Sequence, residues 1–236
     1  TGHFDKALLA QIVYSGETFR ELLERVGVNI QNLSTIEREK GSVAAYVELH
    51  IEQGGNLDQD GISVGVVNGI VGFRRYRLVF SGCANHAGTT PMDKRDDALV
   101  KAARFVLAVK ETAEKYGLVG TVGTLNVNPG AANVIPGSVE LTFELRGLDD
   151  SVIDRSQQEL EALSRGLDAS SEKYSHKPPI ISDNVIVAAL EEGCRRAQLD
   201  YVVMPSGAGH DANLMATICP VGMLFVPNKD GISHAK

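Results

Sequence analysis

Apolar and polar residues alternate strictly near residue 50, and this pattern predicts a β-strand. The run Ala45–His50 carries apolar residues at odd positions and polar residues at even positions, which is the period of a half-buried strand. The glycine pair Gly54-Gly55 ends the run. His50 and Gln53 therefore fall at the C-terminal end of the strand, where α/β sheets usually carry their chemistry.

Helical periodicity appears in four further segments. Apolar residues predict inward faces on the first two helices, and we expect Pro91 and Asp93 to introduce the second one and Gly117 to end it. The predicted helices are 17–26 (apolar face Phe19, Leu22, Leu23 and Val26), 91–116 (Ala98, Ala102, Phe105, Val106 and Val109), 151–167 and 185–197. Further strands are expected at 63–67, 70–81, 121–127, 138–145, 201–204 and 220–226.

The order of these elements predicts an α/β protein that an inserted domain interrupts. Residues 70–180 follow the order strand–helix–strand–strand–helix–strand, which is ferredoxin-like, while the rest of the chain alternates helix and strand. The expected boundaries are 1–68 for the first part of the α/β domain, 69–181 for the α+β insert and 182–236 for the remainder of the α/β domain.

Composition excludes several classes of partner. The net charge of −7 and the lack of a basic block argue against nucleic acid, and no apolar run reaches the roughly 20 residues of a membrane span. Three widely spaced cysteines predict reduced thiols in a cytoplasmic protein. The chain begins without Met and stops just after Gly231-Ile-Ser-His234, so we expect a piece of a larger protein.

Four histidines lie in glycine-rich or polar loop contexts: His50, His86, His210 and His234. Each of His50 and His234 follows an apolar strand, so the two are candidates to meet over one sheet edge and bind a zinc-like ion. The alternative for His50 is a partly buried ring hydrogen-bonded to backbone. His3 and His176 are interpreted as surface residues.

Other polar residues admit both a functional and a structural interpretation. The Gly207-Ala-Gly209 turn before His210 is expected to present backbone N–H groups to an anion, or Asp211 simply caps a helix. Arg146 at a strand end is suited to bind a carboxylate, or it is a surface arginine. Asn133 donates an amide hydrogen bond or makes a turn. A Cys83/His86 nucleophile pair is conceivable, but no orienting third residue is indicated.

Five segments resemble one family in the same order. They are Val47-Glu-Leu-His-Ile-Glu-Gln-Gly54, Asn85-His-Ala-Gly-Thr-Thr-Pro-Met92, Asn133-Val-Ile-Pro136, Ser206-Gly-Ala-Gly-His-Asp211 and Gly231-Ile-Ser-His234. The family is the N-carbamoyl-L-amino-acid hydrolase and allantoate amidohydrolase branch of the di-zinc aminoacylase/carboxypeptidase superfamily. The resemblance implies a di-zinc exopeptidase-like catalytic domain, partial here, with a dimerising insert.

The resemblance also implies residue roles. His50 and His234 match metal ligands, and His86 matches a catalytic histidine that crosses to the partner's site and opposes the developing oxyanion. Asn133 and Arg146 match residues that hold the substrate carboxylate, and Gln53 and Gly209 match pocket residues. His210 belongs to the motif as a substrate-binding residue. The family's N-terminal metal ligands and general base are absent from this chain.

The resemblance implies a metal-dependent amidohydrolase of carbamoyl or ureido C–N bonds. Two divalent ions (zinc, manganese or cobalt) would polarise the carbonyl and lower the pKa of water. N-carbamoyl-L-amino acids are the expected substrates and allantoate the rival, in a homodimer formed through residues 70–180. A dipeptidase of the same superfamily and a non-catalytic dimerisation or binding fragment remain alternatives.

Overall fold

Two β-sheets and six α-helices make up the regular structure of residues 5–232, the part of the chain that the computed structural model describes. The mixed α/β class that the sequence predicts is confirmed. The strands are β1 (Tyr46–Ile51), β2 (Val64–Ile70), β3 (Gly72–Ser81), β4 (Val119–Asn128), β5 (Ser138–Gly147), β6 (Ala169–Lys177), β7 (Ile180–Ile181), β8 (Tyr201–Ser206) and β9 (Val221–Val226). The helices are α1 (Phe19–Arg25), α2 (Asn56–Asp60), α3 (Ala98–Tyr116), α4 (Asp150–Gly166), α5 (Asn184–Arg196) and α6 (Ala212–Met215).

Contacts divide the chain into two compact units. Unit 1 comprises Thr1–Asn68, Ser182–Met204 and Gly209–Lys236, and unit 2 comprises Gly69–Ile181 and Pro205–Ala208.

Unit 2 is built on a four-stranded antiparallel sheet in the order β4-β5-β3-β6. Alternate residues of β3 and β5 are buried, because α3 and α4 cover one face of this sheet. The buried residues form one continuous core that includes Tyr76, Phe80, Phe105, Phe143 and Ile153. The other face carries mainly polar side chains, among them Arg75, Arg77, Glu140 and Glu144.

Capping residues define both long helices of unit 2. Asp97 accepts hydrogen bonds from Leu99 N and Val100 N and so begins α3. Gly117 ends this helix in the left-handed conformation at a φ of 64°. The predicted start at Pro91 and Asp93 is wrong, because residues 92–94 form a separate 3₁₀ turn and the side chain that caps the helix is Asp97.

The second sheet has five strands in the order β1-β9-β2-β7, with β8 also paired to β2. β1 runs parallel to β9, so His50 lies beside Phe225 near the C-terminal ends of both strands. Because β1 is an edge strand that alternates in exposure, its odd-numbered residues Val47 and Leu49 are exposed. Tyr46, Glu48 and His50 share the opposite, more buried face.

The first predicted helix forms but buries its apolar face only in part, since Phe19, Leu22 and Leu23 are partly buried. A reciprocal capping box between Thr18 and Glu21 begins α1, yet α1 contains no buried residue and Val26 is 62% exposed. Local capping therefore marks the start of a helix whose apolar face is only partly covered. No helix of residues 5–232 combines the length and apolar character of a membrane span.

Candidate functional site

Two histidines and a glutamate converge at the C-terminal end of β1. Glu48 and His50 lie on the same face of the strand, and His210 lies two residues before α6. One potential ligand atom from each residue lies within 4.8 Å of the others, and the rings of His50 and His210 meet edge to face at 4.7 Å between centroids. This is a three-donor cluster built entirely within unit 1.

Hydrogen bonds orient the members of this cluster. His50 Nδ1 lies 2.8 Å from the carbonyl oxygen of Ile51, so a proton on Nδ1 can be donated there and the Nε2 lone pair is left for a metal. The backbone-bonded histidine considered as the alternative is thus compatible with a ligand. Glu48 accepts the N–H of Ala212 at 2.8 Å through Oε2, while its Oε1 lies 3.9 Å from His210 Nδ1.

The electrostatics of the cluster favour neutral imidazole. Burial lowers the pKa of His210 and the neighbouring His50 lowers it further, while Glu48 and Asp211 act in the opposite direction without reversing the shift. Neutral imidazole is the form that binds a metal. Two imidazoles and one carboxylate are a donor set that suits zinc and related divalent ions, so the residues present fit one ion.

The loop after β1 has a structural carboxylate and a strained residue. Glu52 is buried and accepts hydrogen bonds from Asn56 N and Leu57 N at 3.1 and 2.8 Å, so it caps α2 instead of joining the cluster. Gln53 has a φ of 60°, unusual for a residue with a side chain. Its N–H donates to Asn228 Oδ1 at 3.0 Å, which helps to hold this conformation.

Further contacts join the segment after β1, including helix α2, to the residues after β9. Asp230 N donates to Asp58 Oδ2 at 2.9 Å, and a Cβ on Gly231 would lie 2.6 Å from Gly55 N. The predicted ligand His234 follows three residues later but lies outside the described residues. The predicted meeting of His50 and His234 therefore stays a prediction.

The turn before His210 does not offer its N–H groups as expected. Ala208 N donates to Ser206 Oγ at 3.2 Å and His210 N donates to Asn213 Oδ1 at 2.8 Å. The prediction that this turn presents its N–H groups to an anion is therefore wrong at Ala208 and His210. Asp211 is the residue before α6, but its side chain makes no capping hydrogen bond, so the helix-cap alternative is wrong as well.

His86 and Asn133 lie side by side on two paired loops of unit 2. Ala87 N donates to the carbonyl of Asn133 at 2.9 Å, and residues 86 and 134 form an isolated β-bridge. Gly88 N donates to His86 Nδ1 at 3.0 Å, so the proton of the neutral ring lies on Nε2. Because Nδ1 accepts from Gly88, it is not available as a base for Cys83, whose Sγ lies 4.0 Å from the Ala84 carbonyl oxygen.

Arg146 lies at the other end of the same sheet. Its Nε hydrogen-bonds to Glu144, and its Nη1 donates to the carbonyl of Gly207 at 2.7 Å. The loops of His86 and Asn133 adjoin the end where Ser138 faces Ser81, and the eight residue steps from Ser138 to Arg146 span about 26 Å. Within one copy, Asn133 and Arg146 are thus too far apart to hold one small carboxylate together.

Sequence reasoning assigned no role to Glu48 or Glu144. The signal for Glu48 was present, since period two places it on the face of His50. Glu144 stands two positions before Arg146 on one strand, which gives the same kind of signal. Their partners Ala212 and Arg75 come from distant segments, and the sequence contains no direct signal for those contacts.

Comparisons with known proteins agree on one family. The model of peptidase family M20/M25/M40 matches residues 16–236. An N-carbamoyl-L-amino acid amidohydrolase from Geobacillus stearothermophilus is 38% identical over 227 residues, which cover 93% of this chain and 56% of that protein. An allantoate amidohydrolase from Escherichia coli K12 is 38% identical over 229 residues, which cover 93% of this chain and 55% of that protein.

A solved structure gives the same result. A hydantoinase/carbamoylase family amidase from Burkholderia multivorans superposes with a TM-score of 0.87 at 33% identity, covering 98% of this chain and 57% of that one. The chain spans about half the length of the curated relatives that it matches. The chain belongs to peptidase family M20/M25/M40.

Proposed function

We propose that the protein is a metal-dependent amidohydrolase that cleaves linear carbamoyl C–N bonds, with N-carbamoyl-L-amino acids as its substrates. The cluster of Glu48, His50 and His210 at a strand end is the observation that carries this proposal. The family is metal-dependent, and the similarity to an N-carbamoyl-L-amino acid amidohydrolase supports the substrate class.

The cluster has a defined chemical task in this proposal. His50 offers Nε2 as a ligand, and Glu48 and His210 complete a three-donor set for one divalent ion, with His234 proposed for a site of two ions of zinc, manganese or cobalt. A bound ion supplies Lewis-acid polarisation of the scissile carbonyl and acidifies water. A direct substrate contact is the second role proposed for His210, since its neutral ring stands beside His50.

Residues of unit 2 bind and polarise the substrate. His86 donates Nε2–H to the oxygen that becomes negative in the transition state, and loss of one such donor costs on the order of a hundredfold or more in rate. Arg146 binds the α-carboxylate, and Asn133 contributes an amide. In unit 1, Gln53 and Gly209 are the pocket residues of this proposal.

We propose that two copies of the chain build each site. The separation of about 26 Å along β5 between the end that bears His86 and Asn133 and the end that bears Arg146 supports a site to which His86 and Asn133 come from the partner copy. Residues 69–181 form the dimerisation domain, and 1–68 with 182–236 belong to the catalytic domain. Sedimentation of a strict monomer at tens of micromolar would contradict this arrangement.

The substrate is tested on the full-length, metal-loaded protein. We expect release of ammonia and free amino acid from N-carbamoyl-L-amino acids, with the N-carbamoyl-D-amino acids as matched controls. Allantoate is the second candidate, because the similarity to an allantoate amidohydrolase is equally high. A higher kcat/KM for allantoate would reassign the substrate, and lack of turnover of every carbamoyl and ureido acid would refute the proposed function.

The metal site is tested by elemental analysis of the chain itself. We expect the 236 residues to bind zinc weakly, and His50→Ala to abolish this binding while His176→Ala, a change at an exposed histidine, leaves it intact. In the full-length, metal-loaded protein, His210→Asn separates the two roles of His210: loss of a ligand lowers the metal content, whereas loss of a substrate contact raises KM at unchanged metal content. Zinc binding unaffected by His50→Ala would contradict the site.

A further inference from the structure

Four side chains form a closed ring on the polar face of the unit 2 sheet. Phe73 and Arg75 belong to β3, and Glu144 and Arg146 belong to β5. The strand register pairs Phe73 with Arg146 and Arg75 with Glu144. All four therefore project from one face as two cross-strand pairs.

Each member of this ring contacts two others. Arg75 Nε donates to Glu144 Oε2 at 2.6 Å, and Arg146 Nε donates to the other oxygen, Oε1. The guanidinium carbons of Arg75 and Arg146 lie 4.4 and 5.7 Å from the ring centroid of Phe73. Glu144 thus uses one oxygen for each arginine, and Phe73 contacts both cations on the other side.

The glutamate is ionised in this setting. Burial, the largest single influence, would raise the pKa of Glu144, but hydrogen bonds from Arg146 and Arg75 and the charges of both outweigh it, so its pKa lies below the usual value. The glutamate side chain is only 17% exposed. Arg75 on the neighbouring strand also binds this carboxylate, so the position of the carboxylate does not depend on Arg146 alone.

We infer that Glu144 is a positioning residue, which orients Arg146 for recognition of the substrate carboxylate. This inference rests on the proposed function. A guanidinium has five N–H donors; Glu144 takes the one on Nε and the Gly207 carbonyl takes one on Nη1. Three donors on Nη1 and Nη2 are left, which is enough for paired hydrogen bonds to a carboxylate.

Another ion pair of the same sheet face differs from this arrangement. Arg77 lies 3.8 Å from both Glu140 and Glu172, and the side chains of Arg77 and Glu140 are about half exposed at 49% and 48%. Such loose pairs between exposed side chains contribute little to stability. Glu140 occupies the same strand and face as Glu144 without contacting Arg146, so Glu140→Gln is a matched control for Glu144→Gln.

Two opposite effects of Glu144→Gln separate positioning from competition. If Glu144 only competed with the substrate for Arg146, removal of its charge would lower KM. If Glu144 positions Arg146, the loss of orientation raises KM. We expect the second result, because Arg75 also holds the Glu144 carboxylate. The three remaining N–H donors of Arg146 can bind the substrate carboxylate without displacing Glu144.

The test uses the full-length, metal-loaded enzyme with an N-carbamoyl-L-amino acid and its carboxamide. We expect Glu144→Gln to raise KM for the acid about tenfold with kcat within about twofold. It should leave kcat/KM for the carboxamide unchanged. Glu140→Gln should leave KM and kcat unchanged for both substrates. In an Arg146→Ala background, Glu144→Gln should add no further effect, because the two residues act as one unit.

The outcomes distinguish this inference from the function on which it rests. An unchanged or lower KM in Glu144→Gln, with a raised KM in Arg146→Ala, overturns the positioning role and leaves the function intact. Wild-type enzyme without turnover of either substrate refutes the function. An equal loss of kcat/KM for the acid and the carboxamide in Glu144→Gln overturns the inference, because it indicates a folding defect. Thermal unfolding of Glu144→Gln, compared with Glu140→Gln, checks for that defect.

Discussion

The unit 2 sheet and strand β1 of unit 1 use the same alternation of side chains in different ways. In β3 and β5 the apolar positions lie under α3 and α4 and join one large core. In β1 the apolar positions 47 and 49 are 51% and 67% exposed, and the more buried face holds Glu48 and His50. Alternation therefore predicts a strand in both units but does not predict which face is buried.

The buried positions of the two regions therefore have different tasks. Unit 2 obtains stabilisation from burial of aromatic and aliphatic side chains, at about 25 cal/mol per Å² of apolar area. β1 carries the polar side chains of the candidate metal site at its more buried positions. Substitutions in the apolar core of unit 2 should therefore change the free energy of unfolding, whereas substitutions at Glu48 and His50 of β1 should change the binding of metal.

The largest expected difference is between Phe105→Ala and Leu49→Ala. Phe105 is fully buried and contacts the rings of Phe80 and Phe143, so its removal should cost about 3–5 kcal/mol of unfolding free energy. Leu49→Ala should cost less than about 1 kcal/mol. Urea unfolding measures both, with the exposed Leu107→Ala as the control on α3. Equal losses at 105 and 49 would contradict the comparison.

Helix caps should have intermediate effects. Asp149 accepts from the N–H groups of Ser151 and Val152 in unit 2, and Asp183 accepts from those of Val185 and Ile186 in unit 1. Each Asp→Ala change should cost about 1 kcal/mol. Hydrogen exchange of α4 and α5 tells whether each cap stabilises only its own unit. The exposed Asp200→Ala is the control, and an equally large effect there would remove the capping explanation.

The contribution of Glu144 to stability should depend on pH only in the acid range, and this effect should be smaller than that of a helix cap. Its folded pKa lies below the usual 4.5, so its contribution to stability is complete above pH 4.5 and is lost as the pH falls through the folded value. Wild type should therefore lose more stability than Glu144→Gln between about pH 5 and about pH 3. Parallel acid curves from denaturant unfolding would argue against the shift, and Glu140→Gln should follow wild type.

The smallest effect is expected for Tyr76→Phe. Tyr76 is 1% exposed, stacks on Phe143 at 4.8 Å, and its hydroxyl has no hydrogen-bond partner among the described residues. Removal of an unpartnered buried hydroxyl should change the unfolding free energy by less than about 1 kcal/mol, or raise it slightly. A loss above about 2 kcal/mol in thermal or urea unfolding would reveal a hydrogen bond to that hydroxyl.

Local rules predicted much of the fold. Gly117 marks the end of α3, and alternation predicts β1, β3 and β5, because these signals need only neighbours in sequence. The start of α3 was missed since Pro91 and Asp97 are both acceptable helix-start signals, and tertiary context selects between them. The exposure of Val26 was missed because a helical period does not say whether a facing surface exists.

The candidate site was only partly predictable for a similar reason. Resemblance to a family predicts His50 and His210 as site residues but assigns no role to Glu48. The contact of Glu48 with Ala212 joins segments 164 residues apart, and the pairing of Arg75 with Glu144 depends on a strand register. Such contacts depend on packing of whole elements, which a single sequence does not specify.

The close approach of Gly231 to Gly55 limits how the protein can be redesigned. Gly231 has a φ of 65°, and a Cβ at this position would lie 2.6 Å from Gly55 N and 2.8 Å from the carbonyl carbon of Gly54, so residue 231 has no room for a side chain. Insertions that lengthen one loop alone would force the other away. Engineers who wish to graft new recognition loops onto this chain should exchange residues 52–60 and 228–231 together, as a single cassette.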